Sequence, residues 1–258
     1  METLQTTIDA GVATIRMNRP DVHNAFDDAL IAALTAALRR VDGLPQAKVV
    51  VLAASGKSFS AGADLNWMKR MAKYSREENL RDAGGLANLM RTLDGMTKPT
   101  IARVQGAAFG GGVGLVACCD IAIASTEASF SLSEVRLGLI PSVISPYVIA
   151  AIGERAARRY FLTAERFDAR EALRIGLVHE AVDADALDGA ITKITAGLLK
   201  GGPLAQAAAK KLIADVSRRP MDDALSNETA KRIAEIRVGA EGREGVAAFL
   251  EKRKPDWT

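Results

Sequence analysis

Residues 104–125 read VQGAAFGGGVGLVACCDIAIAS, and the order of residue types in this stretch decides the class of fold. Thr100 to Val104 is an apolar, β-branched run ending in a glycine-rich turn. Residues 110–118 then form a glycine-headed helix, and residues 120–124 return to small and β-branched residues suited to a strand. A strand, a helix and a strand joined by short connections pair in parallel through a right-handed crossover. Working outward, Val12 to Met17 reads as a strand, Asn18 to Pro20 breaks it, and Leu30, Leu34 and Leu38 recur every four residues on a helix. Residues 48–53 form another short apolar strand, and residues 54–62 a loop of small residues. Residues 64–73 and 76–96 carry helical spacing with charges on one side. From Val143 onward the pattern is helical, apart from a short candidate strand at residues 177–180, and no internal repeat stands out. The expectation is an α/β body over residues 1–200 and a helical segment over residues 201–258, divided at Gly201-Gly202-Pro203.

Composition narrows the function classes. The chain has 258 residues, 48% apolar and 25% charged, which is ordinary for a protein with a packed core. Its 34 Lys and Arg are interspersed with 31 Asp and Glu, so no basic field of the kind nucleic acid requires is expected. The N-terminal METLQTTIDAG lacks the charged and apolar regions of a signal peptide, and no apolar run approaches the roughly 20 residues of a membrane span. A cytoplasmic location is expected. Cys118 and Cys119 are adjacent and cannot form an ordinary bridge. With only His23 and His179 beside them, no metal-ligand spacing emerges.

The glycine-rich turn itself excludes two cofactors. Gly106 and Gly111 are followed by Gly112 and Val113 rather than the Lys-Ser/Thr of a phosphate loop. Leu115 stands where a dinucleotide fingerprint needs a small residue. A third use remains: backbone N–H groups at a helix N-terminus bind a developing oxyanion without any side chain. One donor is rarely enough, and a second small-residue loop, Phe59-Ser60-Ala61-Gly62-Ala63-Asp64, also follows a strand and opens a helix. Close packing alone is the competing reading of such glycines.

These segments, with NRPDVHNAF (18–26), FSLSEVRLGLIP (130–141) and EGREGVAAFLEKRKPDW (241–257), resemble the enoyl-CoA hydratase/isomerase, or crotonase, family nearly end to end. The resemblance implies a spiral of ββα units, residues 1–200 as the acyl-CoA binding and catalytic core, and residues 201–258 as a helical trimerisation region of a homotrimer or a dimer of trimers. It puts the oxyanion N–H groups on Ala63 and Gly111. It puts coenzyme A contacts on Val22, Ala61, Ala63, Asp64, Leu65 and Gly111, with Phe249 and Lys252 completing a neighbouring subunit's site. Coenzyme A is then part of the substrate, and no separate cofactor is needed. The position that often supplies a phosphate-binding lysine is Asn66 here.

The acid/base residues depart from the two-glutamate pattern of the family's hydratases. The first glutamate falls on Gly114; only the second, Glu134, is present. Glu134 lies among small and apolar residues, where burial raises a carboxyl pKa and suits it to proton transfer. A single glutamate is the pattern of Δ3-Δ2-enoyl-CoA isomerases. Against that, residues 138–169 resemble bacterial methylglutaconyl-CoA hydratases, which favours hydration of a short, branched or carboxylated enoyl-CoA such as 3-methylglutaconyl-CoA. Gly114 on this reading leaves room for the acyl group, and Arg70, Lys73, Arg81 and Arg136 are candidate cations for its carboxylate. A noncatalytic or RNA-binding role is the alternative from another class.

Overall fold

In the computed structural model, residues 2–258 are described. Two strands, β1 (Leu4–Asp9) and β2 (Val12–Met17), form a hairpin that leads to α1 (Asp28–Asp42). Then come β3 (Val49–Ala54), β4 (Ser58–Ser60), α2 (Leu65–Met71) and α3 (Arg76–Asp94). The next turn of chain is β5 (Thr100–Val104), β6 (Ala107–Phe109) and α4 (Gly111–Cys118). The following one is β7 (Ile121–Ser125), β8 (Ser129–Ser131) and, after a 3-10 turn at Glu134–Leu137, α5 (Ser145–Thr163). The chain continues through β9 (Phe167–Asp168), α6 (Ala169–Arg174), β10 (Glu180–Val182) and α7 (Leu187–Leu198), and finishes with α8 (Pro203–Val216), α9 (Asp223–Val238) and α10 (Ala240–Leu250).

After the β1-β2 hairpin, each ββα turn from β3 to β8 sends its first strand to one sheet and its second to another. The large sheet has the order β1-β2-β3-β5-β7-β10, parallel from β2 onward. Every residue of β3 is buried, because one face packs with Leu34, Leu38 and Leu93 and the other with Leu187 and Ile191 of α7. The small sheet has the order β4-β6-β8-β9, with β4, β6 and β8 parallel. This is the spiral of ββα units that the resemblance implied.

The small sheet was not visible in the sequence. Residues 54–62, expected as loop, contain β4; after Val143, β9 was not expected, and the candidate strand at residues 177–180 lies instead at Glu180–Val182 as β10. Strands of two or three residues are too short to show alternation. A repeat is nonetheless present: β4 and β8 both read Ser-Phe-Ser, with Phe59 and Phe130 fully buried.

The last three helices bury little within one chain. Leu204, Ile213, Ile233, Val246, Phe249 and Leu250 are all exposed. They are nevertheless tied to the body: Lys210 Nζ donates to Asp120 Oδ2 (2.6 Å) and Lys98 O (3.0 Å), and Lys48 Nζ to Trp257 O (2.5 Å).

Candidate active site

Three adjacent parallel strands end in the three candidate catalytic positions. Ala63 follows β4, Gly111 follows β6 and Glu134 follows β8, so strand pairing brings together residues far apart in sequence. The Gly110 N–H donates to Ser131 O (2.9 Å), which fastens the mouth of β6 to that of β8.

The loop after β4 is clamped by the segment before α1. Phe26 N–H donates to Gly62 O (2.7 Å) and Asp64 N–H donates to Phe26 O (2.8 Å), a bridge that leaves the Ala63 N–H pointing elsewhere. Neither Ala63 N–H nor Gly111 N–H donates a hydrogen bond among the described residues. Gly111 is the first residue of α4, where amides are intrinsically unpaired and the helix dipole is positive. The backbone reaches this position because Gly110 adopts φ 50°, ψ −118°, a conformation few side-chain-bearing residues enter. At Gly111 close approach matters instead: a β-carbon there would lie 2.8 Å from Phe26 Cε2. Phe26 was not singled out from the sequence as a site residue; its place in the NRPDVHNAF motif was the available signal.

Glu134 opens the 3-10 turn after β8, and its Oε1 lies 3.2 Å from where a β-carbon on Gly110 would stand. Its Oε2 is buried without a hydrogen-bond partner among the described residues. Burial pushes this carboxyl above the ordinary glutamate range, against the opposing effect of a bond from its own N–H. The arrangement offers two unpaired amides for a developing oxyanion and one carboxyl able to take or give a proton.

The other expected residues divide. Asp64 is a structural carboxylate: it caps α2 by accepting from Asn66 N–H (2.8 Å) and Trp67 N–H (3.3 Å), and it pairs with Arg19 (3.2 Å). Burial works against its ionisation, but those two amides and the guanidinium outweigh it and hold the carboxyl below its usual range. Ala61 joins this loop by donating its N–H to His23 O (3.0 Å), while Leu65 is exposed beside it. Val22, also exposed, ends the 3-10 turn at Pro20–Val22. That turn is held by Asn24, whose side chain accepts from Arg19 N–H and donates to Ser55 O and Ser58 O, each at 2.8 Å. Phe249 and Lys252 lie at the exposed end of α10, which packs on α8 and α9.

Gly114 corrects the expectation of open space beside the acyl group. It is buried, and Ile144 and Met90 fill the volume in front of it. Of the candidate cations, Arg70 is paired with Asp28 (2.5 Å), whereas Arg136, in the same turn as Glu134, is exposed with no ion-pair partner among the described residues. A cleft of about 710 Å3 near α5 and α6 contains four arginines, but Arg158, Arg159 and Arg174 are paired with Glu154, Glu165 and Glu171. Glu134 does not line it. Among the described residues no group of three or more His, Cys, Asp or Glu is placed to hold a metal ion, and no helix is long and apolar enough to cross a membrane.

The two-sheet spiral thus brings two unpaired backbone donors and a half-buried carboxyl to one set of strand ends. Residues 7–258 match the enoyl-CoA hydratase/isomerase family. A crotonyl-CoA hydratase of Syntrophomonas wolfei is 33% identical over 249 residues, covering 95% of this chain and 94% of that protein. A 2,3-dehydroadipyl-CoA hydratase of Escherichia coli is 30% identical, over 95% and 94%. The crystal structure of an enoyl-CoA hydratase from Shewanella pealeana is 50% identical with a TM-score of 0.97, over 99% of this chain and 96% of that one. The chain belongs to the enoyl-CoA hydratase/isomerase (crotonase) family and is an enzyme of it.

Proposed function

We propose that this enzyme adds water across the C2–C3 double bond of a short 2-enoyl-CoA, or removes it in reverse. The observation that carries the reading is the meeting of Ala63, Gly111 and Glu134 at the ends of β4, β6 and β8. The Ala63 and Gly111 N–H groups hold the thioester oxygen as it gains negative charge, which stabilises the enolate formed when a water oxygen bonds to C3. Glu134 takes the proton from that water and returns a proton to C2, so the carboxyl ends each cycle as it began. Its raised pKa suits both transfers.

The finer reading is a branched or carboxylated acyl chain such as 3-methylglutaconyl-CoA. The run at residues 138–169 supports it, as do the name of the E. coli relative, whose substrate is a dicarboxylic acyl thioester, and the unpaired Arg136 in the turn of Glu134. The single carboxyl is the specific observation behind a second reading, Δ3-Δ2-enoyl-CoA isomerisation. The noncatalytic alternative leaves the buried, unpartnered carboxyl oxygen of Glu134 without a purpose.

We also propose that residues 201–258 are the trimerisation region, with Phe249 and Lys252 serving a neighbour's coenzyme A site; the exposed apolar side chains of α8 to α10 support this. The deciding experiment is a panel of linear, branched and carboxylated 2-enoyl-CoAs and 3-enoyl-CoAs, followed by loss or gain of the conjugated thioester's ultraviolet absorbance. Hydration of 2-enoyl-CoAs with no conversion of 3-enoyl-CoAs is expected; the reverse result establishes the isomerase.

A further inference from the structure

The next turn of α4 beyond the point that Glu134 touches is closed by a side chain from another element. Gly114 N–H donates to Gly110 O (3.2 Å), so residue 114 lies one helical turn from the glycine against which Glu134 stands. A side chain at 114 would project toward Ile144: its β-carbon would lie 2.9 Å from Ile144 Cβ, closer still to Cγ2, and 3.3 Å from Met90 Cε. Real β-carbons do not come as close to another atom as this one would to the two Ile144 carbons, whereas its approach to Met90 is only tight, so Ile144 must shift. Ile144 has little freedom to do so. It is 2% exposed, its carbonyl accepts from Tyr147 N–H (3.1 Å) and Val148 N–H (3.0 Å), and its branched β-carbon makes it stiff at χ1. Met90 is likewise buried, with its sulfur 3.7 Å from Cys118 Sγ.

We propose that Ile144 is a positioning residue of this enzyme: by filling the space in front of Gly114 it keeps the site to the single carboxyl of Glu134. The inference deepens the reading of Glu134 as the acid/base group and rests on it for its catalytic half. The steric half stands on packing alone. A second carboxyl at 114 is thus excluded by residue 144 rather than by the backbone of α4, and removing the Ile144 side chain, Cβ included, is the change that admits it.

A double-mutant cycle separates the two halves. Ala is normally more stable than Gly inside a helix. Here Gly114→Ala is expected to lower the melting temperature by several degrees in the native background, yet to raise it in the Ile144→Gly background, where both the Cβ and the Cγ2 that it would meet are gone. This pair adds a single methyl group and keeps the test open where a bulkier variant fails to fold. Equal shifts in both backgrounds overturn the steric proposal. For chemistry, the pH dependence of kcat/KM on crotonyl-CoA is compared between the native enzyme and the Gly114→Glu/Ile144→Gly variant. One ionisation in the native profile and a second in the variant support the proposal; an unchanged profile in a folded, active variant overturns its catalytic half. A native enzyme that turns over no enoyl-CoA defeats the hydratase reading instead, and the melting-temperature cycle still decides whether Ile144 controls position 114.

Discussion

Glu134 Oε1 lies 3.2 Å from where a β-carbon on Gly110 would stand, and that one approach joins the strand end that supplies the carboxyl to the turn that presents the Gly111 amide. The proton-transfer group and an anion donor are therefore positioned against each other, through a residue that has no side chain to keep them apart.

Gly110→Ala tests this relationship. At φ 50° and ψ −118° the new side chain is strained by about 1–3 kcal/mol, and its methyl group presses on the carboxyl. A folded protein with kcat/KM reduced on the order of 10- to 100-fold is expected, since small displacements of catalytic groups have effects of that size. Circular dichroism and steady-state kinetics together check it.

Glu134→Gln keeps the shape of the site and removes the titratable proton. Turnover is expected to fall about 100-fold or more while affinity for coenzyme A is retained, the pattern of a group that acts in the reaction rather than in binding. Near-native turnover, measured alongside calorimetric binding, removes Glu134 from the mechanism.

The same variant has a pH signature in stability. Burial raises the folded pKa of Glu134, so the fold prefers its neutral form. That contribution is complete below the ordinary value of 4.5 and is lost as pH rises through the raised folded value. A glutamine side chain in its place cannot ionise and keeps the contribution at every pH. The Glu134→Gln variant is expected to melt a few degrees higher than the native enzyme near pH 8 and to match it near pH 4, as read by thermal unfolding across that range.

Arg136→Ala distinguishes substrates. If the exposed guanidinium in the turn of Glu134 pairs with a carboxylate on the acyl chain, kcat/KM for a carboxylated enoyl-CoA falls about 10-fold while that for crotonyl-CoA is little changed. Equal effects on both substrates assign that recognition elsewhere.

Glu241 tests how the C-terminal helices are held. Its carboxylate accepts from Leu204 N–H (2.9 Å) and Ala205 N–H (2.7 Å), closing the exposed N-terminus of α8 from a helix distant in sequence. Glu241→Ala is expected to cost about 1 kcal/mol, read as a lower melting temperature with unchanged kcat. An unaltered melting temperature assigns the anchoring of α8 to Lys210 and Asp120 instead.

The sequence by itself determined the α/β class, the strands Val12–Met17 and Thr100–Val104, the helix register of Leu30, Leu34 and Leu38, and the two loops that carry Ala63 and Gly111. These are local matters: apolar spacing sets the period of an element and glycine marks its turn, and neither depends on a distant partner. The surroundings of Glu134 were legible on one side only: Phe130 to Leu132 before it are buried, but Arg136, Leu137 and Leu139 after it are exposed despite the apolar run. Only the tertiary structure decided that β4, β6 and β8 lie side by side, that Phe26 clamps Gly62 and Asp64, and that Ile144 closes the space at Gly114. Each of those is a contact between segments well separated in the chain, and strands of three residues carry too little pattern to announce their partners. Whether Gly114 opens onto an acyl chain or onto a packed isoleucine depends on what another part of the chain places in front of it, which no spacing within α4 records.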